Sequence, residues 1–267
     1  MFAVVSGAPE ASRQLQVLCE ALRRSTSALV IPQVLQSYSE LSRCFLRGTA
    51  HLAWAPPLIC LDLERTGVAR PVLCCARRGR TLFHSALFTR RDGQLREIGD
   101  LKGSSVAWVD ADSSSGYVIP RLRMAAAGLE ATRTFGRETF VGTHGAVARA
   151  VLSGKVDVGA TYTTLDPRTG KPVSAGWQEA GAPIDAVHVI TTAGPIPADA
   201  IVLSSALPPD LGAHLVAGLT GLPQSEPDAV RGLLGADALE RPRTAHFHEL
   251  QKLVESARKG SGAPRSG

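Results

Sequence analysis

Apolar and polar residues change their period along this chain, and the two periods take turns. Phe2-Ala-Val-Val-Ser6 is a short apolar run of strand length, and residues 11–24 carry apolar positions at helical spacing. Residues 28–34 read as a second strand, 39–46 as a helix stopped by Gly48, and 50–55 as a third strand closed by Pro56-Pro57. Ser105-Val-Ala-Trp-Val109 predicts a strand and residues 118–127 a helix. Strand and helix in regular succession predict an α/β fold with mostly parallel strands.

One helix–strand pattern occurs twice. Residues 41–54 can be laid over residues 147–160; each is an amphipathic helix, a Gly stop and a strand, with few identities. The offset places Tyr38 opposite His144, each just before its helix. It predicts two similar lobes facing each other across a cleft, a favoured place for a ligand. The crossings between lobes are expected near residues 87–89 and 196–201. Lobe 1 then comprises residues 1–87 and 198–267, and lobe 2 residues 88–197. After about residue 207 the pattern predicts helices with turns at Pro208-Pro209, Pro223 and Pro227. Residues 259–267 are basic and rich in Gly, Ser and Pro, and read as a disordered tail.

Composition narrows the function classes. The 267 residues are 44% hydrophobic and 20% charged, enough for one large core or two smaller ones. The formal net charge is +5, with local clusters such as Arg77-Arg78-Gly79-Arg80. Aromatics make up only 5%, and no run interleaves Arg with aromatics as a stacking platform for nucleic acid would. A mildly basic, solvated surface is the reading taken; it helps draw in an anion. No apolar run reaches 18 residues, so no membrane span is expected. Met1 leads directly into the first strand without a signal segment, which places the chain in the cytoplasm, or in the periplasm if an export signal was trimmed. Cys19, Cys44, Cys60, Cys74 and Cys75 are odd in number, lack CxxC spacing and read as buried small hydrophobes.

The chemistry concentrates in Asp110-Ala-Asp-Ser-Ser-Ser-Gly-Tyr117. Three hydroxyls, Ser113, Ser114 and Ser115, fall where a strand ends and a helix begins. The first turn of a helix has N–H groups without partners and a partial positive charge, so added hydroxyls make a site for a tetrahedral oxyanion. A Ser-rich cap is the plainer reading of the same residues. No Walker A segment, GxSxG or HExxH occurs. His246-Phe-His248 has a spacing that suits a metal in a strand, but reads as a solvated helix end.

Leu101-Lys-Gly-Ser-Ser-Val-Ala-Trp-Val-Asp110, followed by Ser113-Ser-Ser-Gly-Tyr117 and Pro120, resembles the phosphonate- and phosphite-binding proteins of ABC importers, which typically read DLKGK-x-VAFVDP-x-STSGY-x-x-P here. Phe83-His-Ser85, Val141-Gly-Thr-His-Gly-Ala146, Leu152-Ser-Gly-Lys-Val-Asp-Val-Gly-Ala-Thr-Tyr162 and Pro195-Ile-Pro-Ala-Asp-Ala-Ile-Val202 match in the same order. The resemblance implies a two-lobed periplasmic-binding-protein fold with two crossings. It implies non-covalent capture of phosphite, phosphate or a simple alkylphosphonate for ABC-type uptake, without catalysis and without a cofactor or metal. The implied ligand-facing residues are Ser113, Ser114, Ser115, His144 and Tyr38. Phe83, where relatives often have Tyr, His84, Ala55, Thr161 and Thr163 complete the set. Thr163 and Thr164 stand where relatives often carry carboxylates, which argues against an amino-bearing ligand. An ABC permease is the implied partner of a monomer. A cytoplasmic sensor with a signalling partner, or a lyase on the same fold, stays open.

Overall fold

The computed structural model describes residues 1–243 and 247–260. Its first elements are β1 (Phe2–Val5), α1 (Ala11–Thr26), β2 (Pro32–Leu35), α2 (Tyr38–Leu46), β3 (Leu52–Ala55), α3 (Pro57–Arg65) and β4 (Ala69–Ala76). Then come β5 (Leu82–Arg90), β6 (Ser105–Trp108), α4 (Ile119–Ala126), α5 (Ala131–Thr134), β7 (Arg137–Phe140), α6 (His144–Leu152), β8 (Val158–Leu165), β9 (Pro172–Ala175) and β10 (Val187–Pro197). The chain finishes with β11 (Ala200–Ser204), α7 (Pro209–Ser225), α8 (Pro227–Leu234), β12 (Ala238–Glu240) and α9 (His248–Gly260).

Two compact units result. One holds residues 1–81 and 197–247; the other holds 82–196 and the described residues from 248 onward. In the first unit the strand order is β12-β4-β11-β3-β1-β2, with β1 parallel to β2 and β3 and β11 antiparallel to β3 and β4. Phe2 and Val4 face a core with Leu15, Leu22, Leu219 and Val230, while Ala3 faces the opposite core with Leu41, Phe45 and Leu63. Both faces are covered, so the strands read as unbroken apolar runs.

The second unit orders its strands β10-β5-β8-β6-β7, with β9 added to β8. β6 is parallel to both β7 and β8, so these three strands end at one edge of the sheet. Ligand sites in open α/β sheets form at such carboxyl ends. Phe88, Val147, Val151 and Trp177 fill the core on one face, and Trp108, Met124, Phe135 and Val158 on the other.

Five details differ from the sequence reading. The sheets are mixed rather than mostly parallel: β11 and β12 run antiparallel to their neighbours in the first unit, and β5 and β9 run antiparallel to β8 in the second. β2 is only Pro32–Leu35, because Ser27 ends α1 in a left-handed conformation (φ 56°) and Leu29 and Ile31 stay exposed. α7 runs through Pro223 instead of turning there; the break comes at Glu226. The divisions between units fall at 81/82 and 196/197, and the C-terminal helix belongs with the second unit, where α9 lies against α4 and buries Leu250 and Ala257. Lys259 and Gly260, read as the start of a tail, end α9; residues 261–267 lie outside the described residues, as does His246.

Candidate functional site

The turn after β6 is built by its own side chains. Asp110 braces it, its carbonyl accepting from Ser113 N (3.3 Å) and its Oδ1 from Asp112 N (2.9 Å). Ser113 then caps the next turn: its Oγ accepts from Gly116 N (3.1 Å), and its carbonyl from Tyr117 N and Val118 N (3.1 and 3.0 Å). Residues Ser114–Val118 form a single π turn that runs into α4. Such turns recur at functional sites because they leave backbone groups displaced from the regular ladder.

Two N–H groups are left over. Those of Ser114 and Ser115 have no acceptor among the described residues, and neither do the two hydroxyls. The Ser115 carbonyl is fixed from beneath by Ser85 Oγ (2.8 Å), which is buried in β5. Gly116 is required by space: a Cβ there would run into the Val109 side chain and lie 2.8 Å from Ser113 Oγ. The result is a rigid, half-buried nest of donors at a helix start, suited to an oxyanion.

The start of α6 is organised differently. Thr143 caps it by accepting from Ala146 N (3.1 Å), and Gly145 N donates to Glu179 Oε2 (3.2 Å). The free N–H groups expected after His144 are therefore largely taken. What this end presents is the His144 ring. Its Nδ1 lies 2.8 Å from Thr161 Oγ1, and its edge meets the Tyr162 ring at 4.9 Å, while Tyr162 donates to Glu179 Oε1 (2.9 Å). Burial lowers the His144 pKa, against the opposing charges of Glu179 and Asp110, so the ring is neutral near pH 7. Thr161 is fully buried and satisfied when its hydroxyl donates to Nδ1. That assigns the remaining proton to Nε2, leaving one N–H donor to offer. Gly176 permits this packing, since a Cβ there would collide with Thr161 Oγ1 and lie 3.0 Å from His144 Cβ.

The other expected residues separate into groups. Phe83 and His84 open β5 half-buried, and His84 pairs with Thr163 across β5 and β8. His84 Nδ1 is buried without a partner among the described residues, and burial lowers its pKa. Thr163 is fully buried and donates to Ser174 O (3.0 Å), so its hydroxyl props β9. Ala55 is also fully buried, and its carbonyl accepts from Cys60 Sγ (3.3 Å). Tyr38 opens α2 as His144 opens α6. Ser37 accepts from Glu40 N (3.2 Å) just as Thr143 accepts from Ala146 N, so the offset read in the sequence reappears in the caps.

Glu179 was missed. Nothing in the sequence ties it to His144, 35 positions earlier; only the close approach at Gly176 brings it there. Its two carboxylate oxygens accept from Gly145 N and from the Tyr162 hydroxyl. Among the described residues no group of His, Cys, Asp and Glu is placed to hold a metal ion, and no helix is long and apolar enough to cross a membrane.

The family described as the phosphonate periplasmic substrate-binding protein of ABC transporters matches residues 2–247. Among solved structures, XAC2383 from Xanthomonas citri bound to ATP is similar at 20% identity, covering 97% of each chain with a TM-score of 0.72. A binding-protein component of an ABC phosphonate transporter from Pseudomonas aeruginosa is 15% identical over 98% of this chain and 87% of that one, TM-score 0.67. PhnD1 from Prochlorococcus marinus in complex with methylphosphonate is 15% identical over 97% and 98%, TM-score 0.64. At these identities the solved structures establish the two-lobed fold alone.

Proposed function

We infer the ligand from family and site together: the chain belongs to the phosphonate-binding periplasmic substrate-binding proteins of ABC transporters, and the group it captures is the PO₃ head of a phosphorus oxyanion. Phosphite, phosphate and methylphosphonate are the smallest ligands with that head. One observation carries this reading. Ser114 and Ser115 offer two adjacent N–H groups and two hydroxyls that the chain does not use itself. Charge-assisted hydrogen bonds to such donors are worth about 1.5–3 kcal/mol each. His144 adds its Nε2–H, held by Thr161.

Capture is non-covalent, and selection works by counting: a site built for charged oxygens leaves buried donors unpaired with the wrong ligand. In this reading Phe83 and His84 add to the enclosure, Tyr38 remains a candidate contact, and the loaded protein delivers to an ABC permease. Thr163 and Ala55 have no part in it.

A thermal-shift series with phosphite, phosphate and methylphosphonate tests the proposal. At least one should raise the melting temperature in proportion to its occupancy. No shift with any of the three contradicts the reading.

A further inference from the structure

Beside the serine turn lies an aromatic surface that a small oxyanion leaves unused. Phe140 ends β7, the edge strand of the second unit's sheet, and is 51% exposed. Exposed positions on an edge strand are ordinarily polar, as Arg137 and Thr139 of the same strand are. A large aromatic there exposes apolar area that water penalises.

Phe140 is also held in place. Its ring meets Tyr117 at 5.0 Å and 61°, and Tyr117 meets Trp108 edge-on at 5.6 Å and 79°. The Arg121 guanidinium stands 5.0 Å over the Tyr117 ring. Glu138 anchors both sides of this stack, its Oε2 accepting from Arg121 Nη1 and from Trp108 Nε1, each at 2.7 Å. The four residues behind Phe140 therefore form a fixed support, and Phe140 presents its exposed side without paying for new order.

The support is continuous with the oxyanion nest. Tyr117 belongs to the same π turn as Ser114 and Ser115. Phe140 pairs directly with Trp108, the last residue of the strand that leads into that turn. Four residues beyond Phe140 the chain reaches His144. Donors for a phosphoryl group and a planar apolar surface thus lie at one sheet edge, on neighbouring strand ends.

We propose that this site takes phosphorus oxyanions that carry an aromatic base, of the nucleoside monophosphate class, with the phosphoryl group on Ser114 and Ser115 and the base stacked on Phe140. The proposal rests on the oxyanion reading above and extends it: phosphite or methylphosphonate fills only the donor half of the site. Stacking of a base on an aromatic side chain is sequence-tolerant, so the platform selects a planar ring rather than a particular base.

The test compares AMP with ribose 5-phosphate, which keeps the phosphate and sugar and lacks the base, by titration calorimetry on the whole chain. AMP should bind at least about tenfold more tightly, in line with the worth of a stacked base. Phe140→Ala should erase that preference while leaving ribose 5-phosphate unchanged, and Phe140→Trp should retain it. Equal binding of the two ligands by the native protein overturns the platform. So does a Phe140→Ala variant that weakens both by the same factor, which would make Phe140 a structural support. Either result leaves the oxyanion nest standing. Failure of both ligands together with phosphite, phosphate and methylphosphonate overturns the nest and the platform with it.

Discussion

Two helices of the second unit start in nearly the same way and end up offering different things. At the serine turn, Ser113 accepts from the residue three positions on, and the two N–H groups between them stay unused. At α6, Thr143 accepts in the same pattern, but Glu179 reaches in and takes the Gly145 N–H. A helix start is an anion site only when its donors are unspent. The first start offers backbone donors; the second has spent its own and instead fixes one histidine ring. In the proposed reading an oxyanion meets a nest at the serine turn and a single N–H at His144.

The contrast breaks most severely at Gly116. Gly116→Ala places a methyl group against Val109, and overpacking of this kind costs about 1–3 kcal/mol. The turn must open to accommodate it, which disperses both free N–H groups. We expect oxyanion affinity to fall more than about a hundredfold, equivalent to losing two charge-assisted hydrogen bonds. Calorimetry beside a urea melt checks this; intact affinity in a folded variant would show that the tight turn is not needed.

A smaller effect appears with pH. Folded His144 has a lowered pKa, while the unfolded chain takes up its proton near the ordinary value of about 6.5. Below that pH the unfolded state binds more protons than the folded one, so the contribution is complete above about 6.5 and is lost as pH falls towards the folded value. His84, also lowered by burial, acts with the same sign. The urea midpoint of the ligand-free protein should drop between pH 7.5 and 5.5, and drop less in His144→Gln. An identical drop in both would remove His144 from the account.

The smallest effect sharpens the comparison by making α6 resemble the serine turn. Glu179→Ala frees the Gly145 N–H and removes an exposed negative charge beside His144. Oxyanion binding should tighten by about twofold to fivefold at low salt, with the gain fading as salt screens it. Weaker binding in this variant would mean that Glu179 serves the ligand through Tyr162.

The residues that were legible in the sequence act through local structure. Ser113–Ser115, Gly116 and Asp110 lie within one turn, so capping, bracing and the unspent donors follow from adjacency along the chain. The strand–helix alternation gave the α/β class for the same reason. The surroundings of Thr163 and Ala55 were not legible because burial depends on the partner strand: β9 claims the Thr163 hydroxyl, and β11 and Cys60 cover Ala55. Glu179 and the Phe140–Tyr117 stack were invisible because each joins segments distant in sequence. The C-terminal helix was assigned to the wrong unit, since its amphipathic face fits a helix partner anywhere and only the fold supplies α4.

The central claim is that backbone N–H groups of the serine turn hold the oxyanion. Ser114 is the first residue of its turn, where proline is tolerated, and Ser113 before it is extended as a pre-proline residue prefers (φ −66°, ψ 114°). Ser114→Ala removes the hydroxyl alone; Ser114→Pro removes the hydroxyl and the N–H. With methylphosphonate in a calorimetric titration, the proline variant should bind at least about tenfold more weakly than the alanine variant, the worth of one charge-assisted hydrogen bond, while melting at a similar temperature. Equal affinity of the two folded variants would contradict the claim, because the Ser114 N–H would then contribute nothing to capture.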